Sequence, residues 1–124
     1  MSAPSPIDAL LKQVVSDADQ KKALDIRVYK PKSTVITDFI VVMSVQNPIH
    51  AKSLLRELDR TVSDFLKETP SDDFYAHVKQ SGTPESGWLI LDANAIMVHI
   101  ISEAIRAEYQ LDSLFEKRAV IFHL

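Results

Sequence analysis

The chain has 124 residues, 46% hydrophobic and 25% charged, with a formal net charge of −3 and a mean hydropathy of −0.02. That is one ordinary domain (1–124), long enough to bury a core without disulfides or metals, and neither disordered nor fibrous in composition. The absence of cysteine excludes a disulfide framework, a thiolate nucleophile and any cysteine-ligated metal site. The acidic balance argues against a binder that works by neutralising phosphates, so direct DNA binding is not expected and a basic protein surface is the more natural partner, although a local basic patch can survive in an acidic domain.

Residues 1–5 are expected to fray. Pro6 suits the first position of a helix capped by Ser5, with Asp8 as in a short capping box; Ile7, Leu10, Leu11, Val14 and Val15 share one face, and the helix ends near Asp19. Leu24, Ile26 and Val28 alternate with Asp25, Arg27 and Tyr29, the period of a half-buried strand, and Lys30 to Ser33 forms the turn that ends it. Ile36 to Met43 is an apolar run broken only by Thr37 and Asp38 and reads as a buried strand. Asn47 and Pro48 supply cap and first turn of a long helix whose stripe is Ala51, Leu54, Leu55, Leu58, Val62, Phe65 and Leu66. Its other face carries Lys52, Arg56, Glu57, Asp59, Arg60 and Asp64, the mixed charges of a solvated surface.

Residues 69–73 form a loop, 75–80 a weak strand, and 80–87 a long connection holding both glycines, each at a position whose backbone needs it. The densest apolar stretch follows. Trp88 to Leu91 and Ala95 to Ile101, joined by Asp92-Ala93-Asn94, read as an antiparallel hairpin central in a sheet. Ser102 then caps a helix that continues or restarts through Leu111, Leu114 and Phe115, and the apolar tail 119–124 adds an edge strand or tucks against the core. The fold class that results is α/β: one domain with a mixed, mainly five-stranded sheet, helices packed on it, and the long helix as a crossover.

Complete catalytic constellations are not found. Gly82 and Gly87 stand five apart in a context that is neither a P-loop nor a dinucleotide fingerprint, and a hydrolase elbow is excluded by the same scarcity of glycine. His50, His77, His99 and His123 are too dispersed for the usual metal motifs, and Asp17 and Asp19 lie at a helix end, where solvated charges are the ordinary explanation. No catalytic, cofactor-binding or metal-ligating residue is therefore expected. Asp38 and Asp92, each beside an apolar strand, are either an acid/base or metal pair or, respectively, a carboxylate bonded to backbone donors or a nearby cation and a shaper of the hairpin turn. His99 reads as a satisfied core or interface histidine, Trp88 as core filler or partner anchor, and Arg106 with Tyr109 as a surface pair or one rim of a docking patch.

Leu24-Asp-Ile-x-Val28, Ile36-Thr-Asp-Phe39, Gly87-Trp-Leu-Ile-Leu-Asp92, Val98-His-Ile100 and Arg106-x-x-Tyr109-x-Leu111, in this order over residues 23–115, resemble the ribosomal silencing factor family, the Iojap-related proteins. The chain departs from the family pattern at Ser44 to Asn47, where a glycine-containing turn is usual, at Phe115, where tryptophan is usual, and in its apolar tail. The resemblance implies a nucleotidyltransferase-like fold without catalytic machinery. It further implies binding to a large-subunit ribosomal protein of the L fourteen type, so that subunit joining is blocked and translation repressed when nutrients are short. Trp88, Asp92, His99, Arg106 and Tyr109 then occupy the docking positions or support them, with Asp38 and Gly87 structural. The alternatives are a nucleotide- or phosphate-transferring enzyme using Asp38 and Asp92, and a homodimeric interaction module. No apolar run reaches the roughly 18 residues of a membrane span and no leader pattern is visible, so a cytoplasmic protein without membrane contact is expected.

Overall fold

The computed structural model describes residues 5–31 and 37–122, the last six by backbone alone. Helix α1 (Pro6–Gln20) begins where Ser5 Oγ accepts the Asp8 N–H at 3.2 Å, and α2 (Pro48–Glu68) where Asn47 Oδ1 accepts the His50 N–H at 2.8 Å. In both, a proline follows the cap, where its missing N–H costs nothing. The strands are β1 (Leu24–Pro31), β2 (Phe39–Val45), β3 (Phe74–Thr83), β4 (Trp88–Asn94) and β5 (Ile96–Ser102). They are followed by α3 (Glu103–Glu108), α4 (Leu111–Arg118) and β6 (Ala119–Phe122). The mixed sheet read from the sequence is present, with the tail adding a short sixth strand in the order β3-β4-β5-β2-β1-β6. Among the described strands only β2 and β5 pair in parallel; every other neighbour is antiparallel.

Alternation along the strands gives the sheet two unlike faces. One face sends Val28, Val41, Met43, Leu89, Leu91, Val98 and Ile100 against the apolar stripes of α1 and α2 and makes the main core. The other carries Tyr29, Val42 and Ile101, covered in part by Ile105, Leu111 and Phe115 of the two short C-terminal helices. This second face holds the unusual side chains.

Three expectations change. Residues 80–83 are strand, not connection, because they pair with Trp88 to Leu91 through backbone bonds that side-chain pattern does not encode, leaving only a 3₁₀ turn at Pro84–Ser86. Ser44 and Val45 belong to β2 rather than to the turn that follows it. Lys30 and Pro31 extend β1 against β6, while Lys32 and Ser33 of the expected turn, Ile36, residues 1–4, His123 and Leu124 lie outside the described residues.

The two glycines are where backbone geometry requires them. Gly82 has φ +83°, and a Cβ there would collide with the Trp88 carbonyl oxygen. Gly87 has φ +79° and closes the 3₁₀ turn, with Ser102 Oγ 3.0 Å from where its Cβ would be. Both therefore set the entry of β4 and hence the position of Trp88.

Candidate functional site

Trp88 opens β4 on the second face, opposite Ile101 and two residues from Ile90, which faces His99 across the strand pair. The indole Nε1–H donates to His99 Nδ1 at 3.0 Å, which leaves the imidazole proton on Nε2. Burial pushes the His99 pKa down to about 4, against a smaller upward pull from Asp92, so the ring is neutral near pH 7. A charged imidazolium would have no lone pair for the indole proton.

The rings form a chain. Tyr109 lies 5.8 Å from Trp88, Trp88 5.9 Å from His99, His99 5.5 Å from Phe115, and Phe115 5.6 Å from Tyr29, all tilted. Tilted and edge-on rings at such separations attract beyond their burial. One end of the chain is locked: the buried Tyr29 hydroxyl donates to Asp112 Oδ1 at 2.5 Å. The other end is open, since Tyr109 is 59% exposed and, with Trp88, Ile90, Ile105 and Gly82, lines a shallow groove on the protein surface.

Arg106 is the fastener. Its Nε and one terminal nitrogen fork onto Asp112 at 2.7 and 2.9 Å, and the other terminal nitrogen donates to the Asp25 carbonyl and to Ser44 Oγ at 2.8 and 2.9 Å. A single side chain thus joins α3, α4, β1 and β2. Burial pushes the Asp112 carboxyl up, but the hydrogen bonds from Arg106 and Tyr29 and the charges of Arg106 and Arg27 outweigh it and hold the group below its usual range.

The expected site residues therefore divide. Trp88 and Tyr109 come together at the surface. His99 and Arg106 are 6% and 5% exposed, so they support this face from beneath; Arg106 and Tyr109 are not a surface pair, because α3 turns the arginine onto the sheet and leaves the tyrosine in water. Asp92 Oδ1 accepts the Asn94 N–H at 2.9 Å and so shapes the hairpin turn, which Asn94 completes with φ +80°. Asp38 enters β2 with its N–H on the Ala95 carbonyl. Among the described residues no three His, Cys, Asp or Glu side chains are grouped as metal ligands. Sequence reasoning missed Tyr29 and Asp112, which join the site from 83 residues apart in the chain; only the alternation that puts Tyr29 opposite Val28 hinted at its face.

A family model described as ribosomal silencing factor during starvation matches residues 4–122. The chain belongs to the ribosomal silencing factor family. The ribosomal silencing factor of Treponema pallidum is 33% identical over 79 residues, 64% of this chain and 64% of that protein. An uncharacterized protein of Caenorhabditis elegans is 24% identical over 108 residues, 85% of this chain and 55% of that one. The chain thus spans less than two thirds of either relative. Crystal structures of proteins from Chromobacterium violaceum (TM-score 0.73, 21% identity, 89% of this chain and 86% of that one) and Bacillus halodurans (TM-score 0.69, 20% identity, 94% and 99%) share the fold. No helix among the described residues is long and apolar enough to cross a membrane.

Proposed function

We propose that this ribosomal silencing factor docks on the large ribosomal subunit through the Trp88–Tyr109 face, against a protein of the L fourteen type, and keeps the small subunit from joining. Translation is thereby repressed when nutrients are limiting, in the cytoplasm and without chemical turnover. The observation that carries this reading is an exposed tyrosine packed at a tilt against a half-buried tryptophan whose indole is oriented by a buried histidine. Such a pre-set aromatic pair is the usual anchor of a protein interface, because little side-chain entropy remains to be lost on docking. A domain about 30 Å across, placed on one subunit, is large enough to exclude the other sterically.

The test is co-sedimentation with purified large subunits. Wild type is expected in the pellet, Trp88→Ala and Tyr109→Ala in the supernatant, with circular dichroism confirming that both variants are folded. A wild-type protein that stays in the supernatant at every salt concentration refutes the reading, and a stable self-dimer that buries Trp88 would replace it.

A further inference from the structure

The outer face of α2 holds cations that the docking face does not use. Lys52, Arg56 and Arg60 recur every fourth residue, are all exposed, and line one groove with Gly82, Pro84 and Leu89. Four residues of helix rise about 6 Å, so the three charges form a row about 12 Å long. None of the three makes a hydrogen bond or ion pair among the described residues. Asp59 shares the groove, but its oxygens are held by neutral donors and not by the cations: Oδ2 accepts from Gln80 Nε2 at 2.6 Å and Oδ1 from Ser63 Oγ at 3.1 Å. Asp64 ends the row one turn further on.

The row adjoins the docking face. Gly82 lines both the cationic groove and the groove holding Trp88 and Tyr109, so the two surfaces meet at the end of the β3–β4 hairpin. A partner seated on Trp88 brings whatever flanks it against α2. A row of evenly spaced cations, three against the single carboxylate of Asp59 in the same groove, fits an anion whose charge also repeats, and two arginines supply forked donors matched to phosphate oxygens.

We infer that Lys52, Arg56 and Arg60 take the phosphodiester backbone of ribosomal RNA beside the protein contact. This rests on the docking proposed above. The net charge of −3 makes the row weak alone, so it acts as the second point of a two-point attachment, adding salt-sensitive affinity to a contact made by Trp88 and Tyr109.

The test measures binding to purified large subunits over a salt series for wild type, for Lys52→Ala/Arg56→Ala/Arg60→Ala, and for Arg56→Lys/Arg60→Lys. Alanine at exposed helical positions keeps the helix intact. The triple variant is expected to bind about tenfold more weakly, with the slope of log K against log salt shallower by about 2, since each lost contact to a single-stranded phosphate removes about 0.7. The lysine variant is expected to retain most of the slope. Protein-free large-subunit RNA is expected to compete with wild type, and polyglutamate of equal charge is not. A triple variant with wild-type affinity and slope overturns the inference alone, and polyglutamate competing as well as RNA overturns the assignment to RNA. A wild type that binds no subunits overturns the docking proposal together with this one.

Discussion

Replacing His99 with glutamine will remove most of the protein's loss of stability between pH 6.5 and 4. His99 is buried, its pKa is pushed down to about 4, and the unfolded chain binds that proton near 6.5. Above pH 6.5 the ring is neutral in both states and contributes no pH dependence. As the pH falls through 6.5 the unfolded state takes up a proton that the folded state refuses, so stability drops by up to about 1.4 kcal/mol per pH unit until the folded ring also titrates. Across the window the loss is about 3 kcal/mol, a large part of the 5–15 kcal/mol of an ordinary domain. Urea unfolding at half-unit steps from pH 7.5 to 4 measures it, followed by the fluorescence of Trp88, the one tryptophan, whose indole donates to this histidine. Glutamine keeps an acceptor for the indole and cannot titrate. Parallel pH profiles for wild type and His99→Gln would refute the argument.

Three other substitutions separate the roles within this face. Arg106→Met leaves Asp112 without its fork and is expected to cost about 3–5 kcal/mol, with faster hydrogen exchange across α3 and α4. Tyr109→Ala removes an exposed ring that touches Trp88 and is expected to lower stability by no more than about 1 kcal/mol, while weakening binding to large subunits by about 2 kcal/mol, or roughly thirtyfold, in an affinity titration. Gly82→Ala meets the Trp88 carbonyl oxygen at a positive φ and is expected to lower stability by more than 1 kcal/mol in urea, about the least that an incompatible backbone costs.

What could be read from the sequence was what local chemistry decides. Ser5, Asn47 and Ser102 cap their helices because a short oxygen-bearing side chain at that position satisfies a free N–H, which needs no knowledge of the rest of the fold. The β4–β5 hairpin was legible from its apolar runs, although β4 reaches three residues further into the turn and β5 begins one residue later than those runs suggest. The far end of β3 was not: residues 81–83 are exposed and without an apolar side chain, and they belong to the sheet only because β4 offers them a register. Ring and ion contacts at the site were illegible for a related reason. Arg106 looks like a surface residue until Gln110, with φ +47°, breaks the helix and folds Asp112 back onto it. Tyr29 joins them only after β1 is placed beside β2. The family resemblance picked out Trp88, His99, Arg106 and Tyr109 together, but only the fold separates the two that face water from the two that hold them in place.

Subunit joining tests the central claim most directly. Purified small and large subunits are mixed under associating conditions with saturating wild-type protein or with Tyr109→Ala, and the products are resolved on a sucrose gradient. The account predicts separate subunits with wild type, with the protein in the large-subunit fractions, and joined particles with the variant. Full joining in the presence of bound wild-type protein would contradict it.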